Sequence, residues 1–164
     1  MTAWLLRSVG MTAVHVVLRL LLGVWVTTAP LQGTVARWTM FALVLLVALV
    51  WAAADGIADT RRNPLVEDRT DLVARWMIAA LITGLAAGLI CWLADKAGAD
   101  GLGSGGLVFD LTSGAAGTAL MVIVPAALGI GVGRFIGGRG SDDEDYFDET
   151  IEQVEDERLA VGSD

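Results

Sequence analysis

The sequence predicts an all-α integral membrane protein: a transmembrane four-helix bundle over residues 1–136, followed by a disordered acidic tail over 137–164, with both termini cytoplasmic. Three observations predict it. The apolar residues gather into four long blocks, the basic residues favour one side of those blocks, and the tryptophans mark their ends. Hydrophobic residues make up 55% of the chain, but composition alone does not insert a chain into a bilayer, so their distribution decides.

The blocks are Ser8–Thr28, Trp38–Ala54, Trp76–Leu93 and Thr112–Gly133, of 21, 17, 18 and 22 residues. A helix crosses the roughly 30 Å hydrocarbon core in about 17–25 residues. Without water to satisfy backbone groups, such blocks pair internally and become helices. The first block is longer than the roughly 7–15-residue apolar core of a secretory leader, and Pro30 follows Ala29 where a cleavage site would fall, so it reads as a span.

Four crossings place Arg7, Arg61, Arg62, Arg69, Arg75, Arg134, Arg139 and Arg158 on one side and Arg37 and Lys96 on the other. Basic loops stay in the cytoplasm, so the first side is assigned there. Trp4, Trp51 and Trp76 fall at the cytoplasmic block ends and Trp25, Trp38 and Trp92 at the outer ends, as expected of indoles that prefer the headgroup region. The net charge of −8 hides two objects. Residues 1–140 carry ten basic and eight acidic side chains, whereas residues 141–164 carry one Arg and eleven Asp or Glu.

The connections read as follows. Pro30 and Gly33 make a short turn between the first two helices. The second helix is expected to run to about Arg62, ahead of the Asn63-Pro64 turn signal. Asp68 or Thr70 is the expected cap of the third helix, and Asp59 with Arg62 and Asp71 with Arg75 have ion-pair spacing. Gly101-Leu-Gly-Ser-Gly-Gly106 matches a dinucleotide fingerprint by letter only, because no strand precedes it. Asp95, Asp100 and Asp110 do not have calcium-loop spacing. In the tail, dense acidic charge argues for disorder, while Tyr146, Phe147, Ile151, Val154 and Leu159 could form a partner-binding motif.

Inside the membrane, His15 and Arg19 lie four residues apart on one face of the first helix, with Arg19 near the midplane. A central Arg costs about 2.5–3.5 kcal/mol on insertion scales, which makes it a functional candidate by default. No block contains an Asp or Glu, so Asp55 and Asp110 at the block ends complete the candidate polar site, with carbonyls freed near Pro125 as another partner. A snorkelling or structural Arg19 is the plain alternative. Ala80, Gly84 and Gly88, and Gly129, Gly133 and Gly137, form small-residue stripes that let helices approach closely. Packing of helices three and four on each other is the simple expectation, homodimerisation the alternative. Pro125 is expected to kink helix four or to act as its hinge. The single Cys91 reads as a packing residue. No catalytic set, metal cluster or phosphate loop is present, so neither enzyme activity nor a cofactor or metal is expected.

The run Trp51-Ala-Ala-Ala-Asp55-Gly56-Ile-Ala-Asp59, then Asp68-Arg-Thr-Asp71-Leu-Val-Ala-Arg75-Trp76, resembles a family of small actinobacterial four-transmembrane-helix proteins described as drug/metabolite-transporter-like. Trp4-Leu-Leu-Arg7 and Arg19-Leu-Leu-Leu extend the resemblance over roughly residues 1–136 and not the tail. It implies a transporter. Small multidrug exporters use a membrane-embedded Glu in their first helix, and this chain has none there, so a midplane Arg fits an anionic ligand better. The leading expectation is a plasma-membrane transporter-like protein for an anionic or lipid-like substrate, with membrane lipids and, in a homo-oligomer, further copies of itself as neighbours and no nucleic acid. The rivals are a scaffold that recruits a cytoplasmic partner through the acidic tail, and a holin-like pore former.

Overall fold

The computed structural model describes residues 2–63, 65–97 and 106–161, with side chains between Trp4 and Arg139. The elements are α1 (Thr2–Thr28), a 3-10 turn (Pro30–Gln32), α2 (Gly33–Arg62), a second 3-10 turn (Val66–Asp68), α3 (Leu72–Lys96), a short α4 (Leu107–Phe109), a π-helical turn (Asp110–Gly114) and α5 (Ala115–Val161). No strand occurs among the described residues. Most of the glycine-rich stretch 101–106, Asp100 and Pro64 lie outside the described residues, as do the side chains of Asp95 and of the tail.

Four helices are long and apolar enough to cross a membrane. Each is longer than its apolar block, because helical hydrogen bonding continues into polar flanks that the hydropathy pattern leaves out. α2 ends at Arg62 as expected, with Asn63 N–H bonded to Asp59 O at 2.9 Å. The surface is inside-out relative to a water-soluble protein. Leu6, Val9, Leu46, Leu81, Leu120, Leu128 and Phe135 are exposed, while Asp59, Thr60, Thr83, Asp110 and Thr118 are buried. Lipid tails accept the first group, and the second group must find partners within the protein.

The core runs through Met11, Val44, Ala48, Ala52, Trp76, Ala80, Val122, Ala126 and Ile130. Close backbone approach organises it. A Cβ at Gly84 would collide with the Ala115 carbonyl oxygen, and one at Gly88 would fall 2.7 Å from that of Asp110. The first small-residue stripe therefore does pack on the last helical segment. The second stripe does not face α3: Gly129 and Gly133 meet the carbonyls of Leu49 and Ala53 on α2, and Gly137 meets Ile57 and Thr60. α2 answers with its own stripe of Val44, Ala48, Ala52, Gly56 and Thr60, all buried and four residues apart.

At the α2–α3 elbow, Asp71 rather than Asp68 or Thr70 caps α3, its Oδ1 accepting the Ala74 N–H at 3.0 Å. Pro125 is buried inside α5, which continues through it. α5 also continues past Gly140 to Val161, so the acidic segment has helical backbone where its composition argues for disorder. Extending an established helix needs no new nucleus, and neither Gly nor Pro interrupts residues 141–161.

Candidate functional site

Two polar centres lie at different depths of the bundle. The first occupies the proximal end, where α1 and α3 begin and α2 finishes. Asp55 and Asp59 stand one turn apart on α2 and clamp different neighbours. Asp55 Oδ2 accepts from Arg7 Nε of α1 at 2.6 Å and from Trp76 Nε1 of α3 at 3.0 Å. The Arg7 guanidinium lies 5.9 Å from the Trp76 ring centroid, and Trp51 meets Trp76 edge to face at 6.1 Å. Gly10 lets α1 close on this cluster, since a Cβ there would fall 2.6 Å from Trp51 Cη2. Trp76 is thus buried, 1% exposed, and not the interfacial anchor its position suggests; its N–H is satisfied by a carboxylate instead of headgroups.

Asp59 does not pair with Arg62. Its Oδ2 accepts from Arg134 of α5 at 3.3 Å, and its Oδ1 accepts from Thr70 N–H and Asn63 Nδ2, both at 3.2 Å. Arg134 also donates to the Thr70 carbonyl at 2.8 Å. One carboxylate therefore ties α2, α5 and the elbow together.

The second centre is an open cleft of about 390 Å³ between α1, α2 and the start of α5, reaching from mid-bundle toward the distal end. His15 and Arg19 line it as a pair, joined by Arg37 of α2, Ser113 and Gly114 of the π-turn, and Gly117 and Thr118 of α5. The remaining wall is Leu18, Leu22, Met40, Phe41, Val44 and Met121. Among the described residues no Asp or Glu lines it. His15 Nδ1 is buried and has no hydrogen-bond partner among the described residues. Met121 carries the carbonyl that Pro125, lacking an N–H, leaves without its helical donor. Behind the cleft, Asp110 is buried, its Oδ1 3.7 Å from where a Cβ on Gly114 would stand, and the Cys91 thiol of α3 is buried as well.

No protein-family model matches this chain, and no curated protein matches it.

Of the four candidate residues, the fold brings His15 and Arg19 together in the cleft and sets Asp110 behind its wall at Gly114. Asp55 belongs to the proximal clamp instead. The runs Trp51–Asp59 and Asp68–Trp76 hold Trp51, Asp55, Asp59, Thr70, Asp71 and Trp76, so their polar residues build the clamps and a helix cap, not the cleft. Sequence reasoning missed Arg37, which reads as a loop charge. The available signal was Arg37, Phe41 and Val44 at four- and three-residue steps, one face of α2. Ser113 and Gly114 carry no such signal, because the π-turn shifts the helical phase there. Among the described residues no group of His, Cys, Asp or Glu is arranged to hold a metal ion.

Proposed function

We propose that this protein is a small, multi-pass, transporter-like membrane protein that takes an anion into the cleft between α1, α2 and α5. One observation carries the reading: two guanidiniums, Arg19 and Arg37, line a single cleft, and among the described residues the nearest carboxylate, Asp110, stands behind the wall at Gly114 and not on the lining. Arginine presents a rigid fork of donors to carboxylate or phosphate, and in a low-dielectric wall such a fork needs an anionic partner more than it does in water. The resemblance to transporter-like four-helix proteins agrees with this reading, and the asymmetry of basic residues supports cytoplasmic termini with the distal, cleft-bearing end of the bundle outside.

The test is anion movement in reconstituted vesicles. Arg19→Ala is expected to abolish it, and Arg37→Ala to weaken it at low substrate concentration; flux that survives both substitutions refutes the reading. Orientation is checked separately in a Cys91→Ala background. Cysteine at Ser104 is expected to react with an impermeant maleimide on intact cells, and cysteine at Ser141 is expected to be protected. The inverse pattern places the cleft mouth in the cytoplasm.

A second reading has its own support. α5 has 47 residues, about 70 Å at 1.5 Å per residue, against a hydrocarbon core of about 30 Å. Its acidic C-terminal part therefore projects well beyond a bilayer and suits recruitment of a basic partner. Removing residues 141–164 separates the two: a transporter keeps its flux, whereas a scaffold loses its cellular phenotype.

A further inference from the structure

The cleft carries information about the class of anion, an inference that rests on reading it as an anion site. Its charges can be counted. Arg19 and Arg37 contribute two positive charges. Asp110 is buried behind the wall at Gly114, where a Cβ would fall 3.7 Å from its Oδ1, and it carries a formal charge of −1. With His15 neutral, the sum is +1, the complement of a monoanion.

The rest of the lining restricts the ligand further. Leu18, Leu22, Met40, Phe41, Val44 and Met121 offer no donor from their side chains, so a small hydrated ion would lose water over most of the wall without recompense. The polar groups instead bracket one part of a mostly apolar slot. Its volume of about 390 Å³ is at the low end of the roughly 300–1,000 Å³ typical of ligand pockets, suited to one chain and not to a whole two-chain lipid. The slot is open at Gly117, where a Cβ would meet nothing within 4 Å. Outside the slot, α1 and α2 present Val17, Leu20, Leu21 and Leu43 to the surroundings, so an apolar chain can arrive from the bilayer without crossing a polar rim.

We propose that the cleft binds a single-chain, monoanionic amphiphile, with its headgroup between Arg19 and Arg37 and its hydrocarbon chain along Leu18, Leu22, Met40, Phe41 and Met121. The headgroup chemistry is a carboxylate or a phosphodiester, each of which a guanidinium fork matches. His15 Nδ1, which lacks a partner among the described residues, adds a hydrogen bond to that headgroup.

The experiment uses the full-length chain in neutral-lipid vesicles and a twelve-carbon fatty acid carrying a photoreactive diazirine, with cross-linked residues mapped by mass spectrometry. Cross-links are expected on Leu18, Leu22, Met40, Phe41 or Met121. Dodecanoate is expected to compete. If lysophosphatidylglycerol competes equally, the shared monoanionic head is the determinant; if it does not, the site selects the carboxylate. Arg19→Gln and Arg37→Gln are each expected to weaken labelling about tenfold or more, the loss of one charge-assisted pair. Gly117→Leu, which enters open space and leaves every charge in place, is expected to block labelling with the fold intact. Labelling competed equally by dodecyltrimethylammonium overturns both this proposal and the anion reading. Competition by acetate or dimethyl phosphate at the same concentrations, or absence of labelling beside intact Arg19-dependent anion flux, overturns the amphiphile proposal alone.

Discussion

Replacing Asp55 by Ala tests whether the proximal clamp holds α1 to the bundle. Asp55 accepts two bonds, 2.6 Å from Arg7 and 3.0 Å from Trp76, and the Arg7 and Asp55 side chains are 11% and 19% exposed. A solvent-exposed pair would be worth about 0–1 kcal/mol. Removing the carboxylate from a pair as enclosed as this one takes away the counter-charge of Arg7 and should cost about 3–5 kcal/mol. The Trp76 N–H loses its acceptor at the same time. Arg7→Met in the same chain removes the remaining charge, so the double variant is expected to be more stable than Asp55→Ala alone, because apolar replacement of both partners is often neutral or better. The assay is reversible unfolding in mixed micelles, followed through the fluorescence of Trp51 and Trp76, which meet edge to face. A loss below about 1 kcal/mol for Asp55→Ala, or simple additivity of the two substitutions, would refute the reasoning.

Three further outcomes follow from the same geometry. Arg134→Gln should cost less, about 1–3 kcal/mol, because its Asp59 contact is longer at 3.3 Å and the side chain is 30% exposed; a loss matching Asp55→Ala in the same unfolding assay would contradict that ordering. Gly133→Leu should disrupt the α2–α5 contact, since even a Cβ there collides with Ala53, whereas Gly131→Leu, where a Cβ meets nothing within 4 Å, should leave stability nearly unchanged. Equal effects of these two substitutions on folded yield would show that this helix pair is not packed as described. Asp71→Ala removes the α3 cap and should cost about 0.5–2 kcal/mol, with faster amide hydrogen exchange at Ala74 as its local signature.

Interpreting His15 and Arg19 as a pair needed only their four-residue spacing, and the structure keeps them on one wall. Their companions were harder to read. Arg37 lies eighteen positions away on another helix, and which face of α2 turns toward α1 depends on how α2 packs against α5. Asp55 illustrates the opposite error. It is the acidic residue that the sequence places at the end of α2, yet Arg7 and Trp76 reach it first, which leaves it no part in the cleft. Asp59 shows the same limit: its local partner Arg62 is exposed, and the distant Arg134 takes its place because α5 lies directly on α2.

By itself the sequence determined the number of long apolar helices, the end of α2 at Arg62 and the small residues along which backbones meet. These depend on local rules: a bilayer-length run of apolar residues must satisfy its own backbone, and glycine admits close approach wherever it falls. Only the tertiary structure decided which helices those glycines join, which carboxylate answers which arginine, and that Arg19 and Arg37 share one cleft. Such pairings depend on helix rotation and neighbour order. Lipid-exposed Leu and Val look the same in sequence as buried ones, so hydrophobic pattern cannot supply the rotation that aims a side chain inward.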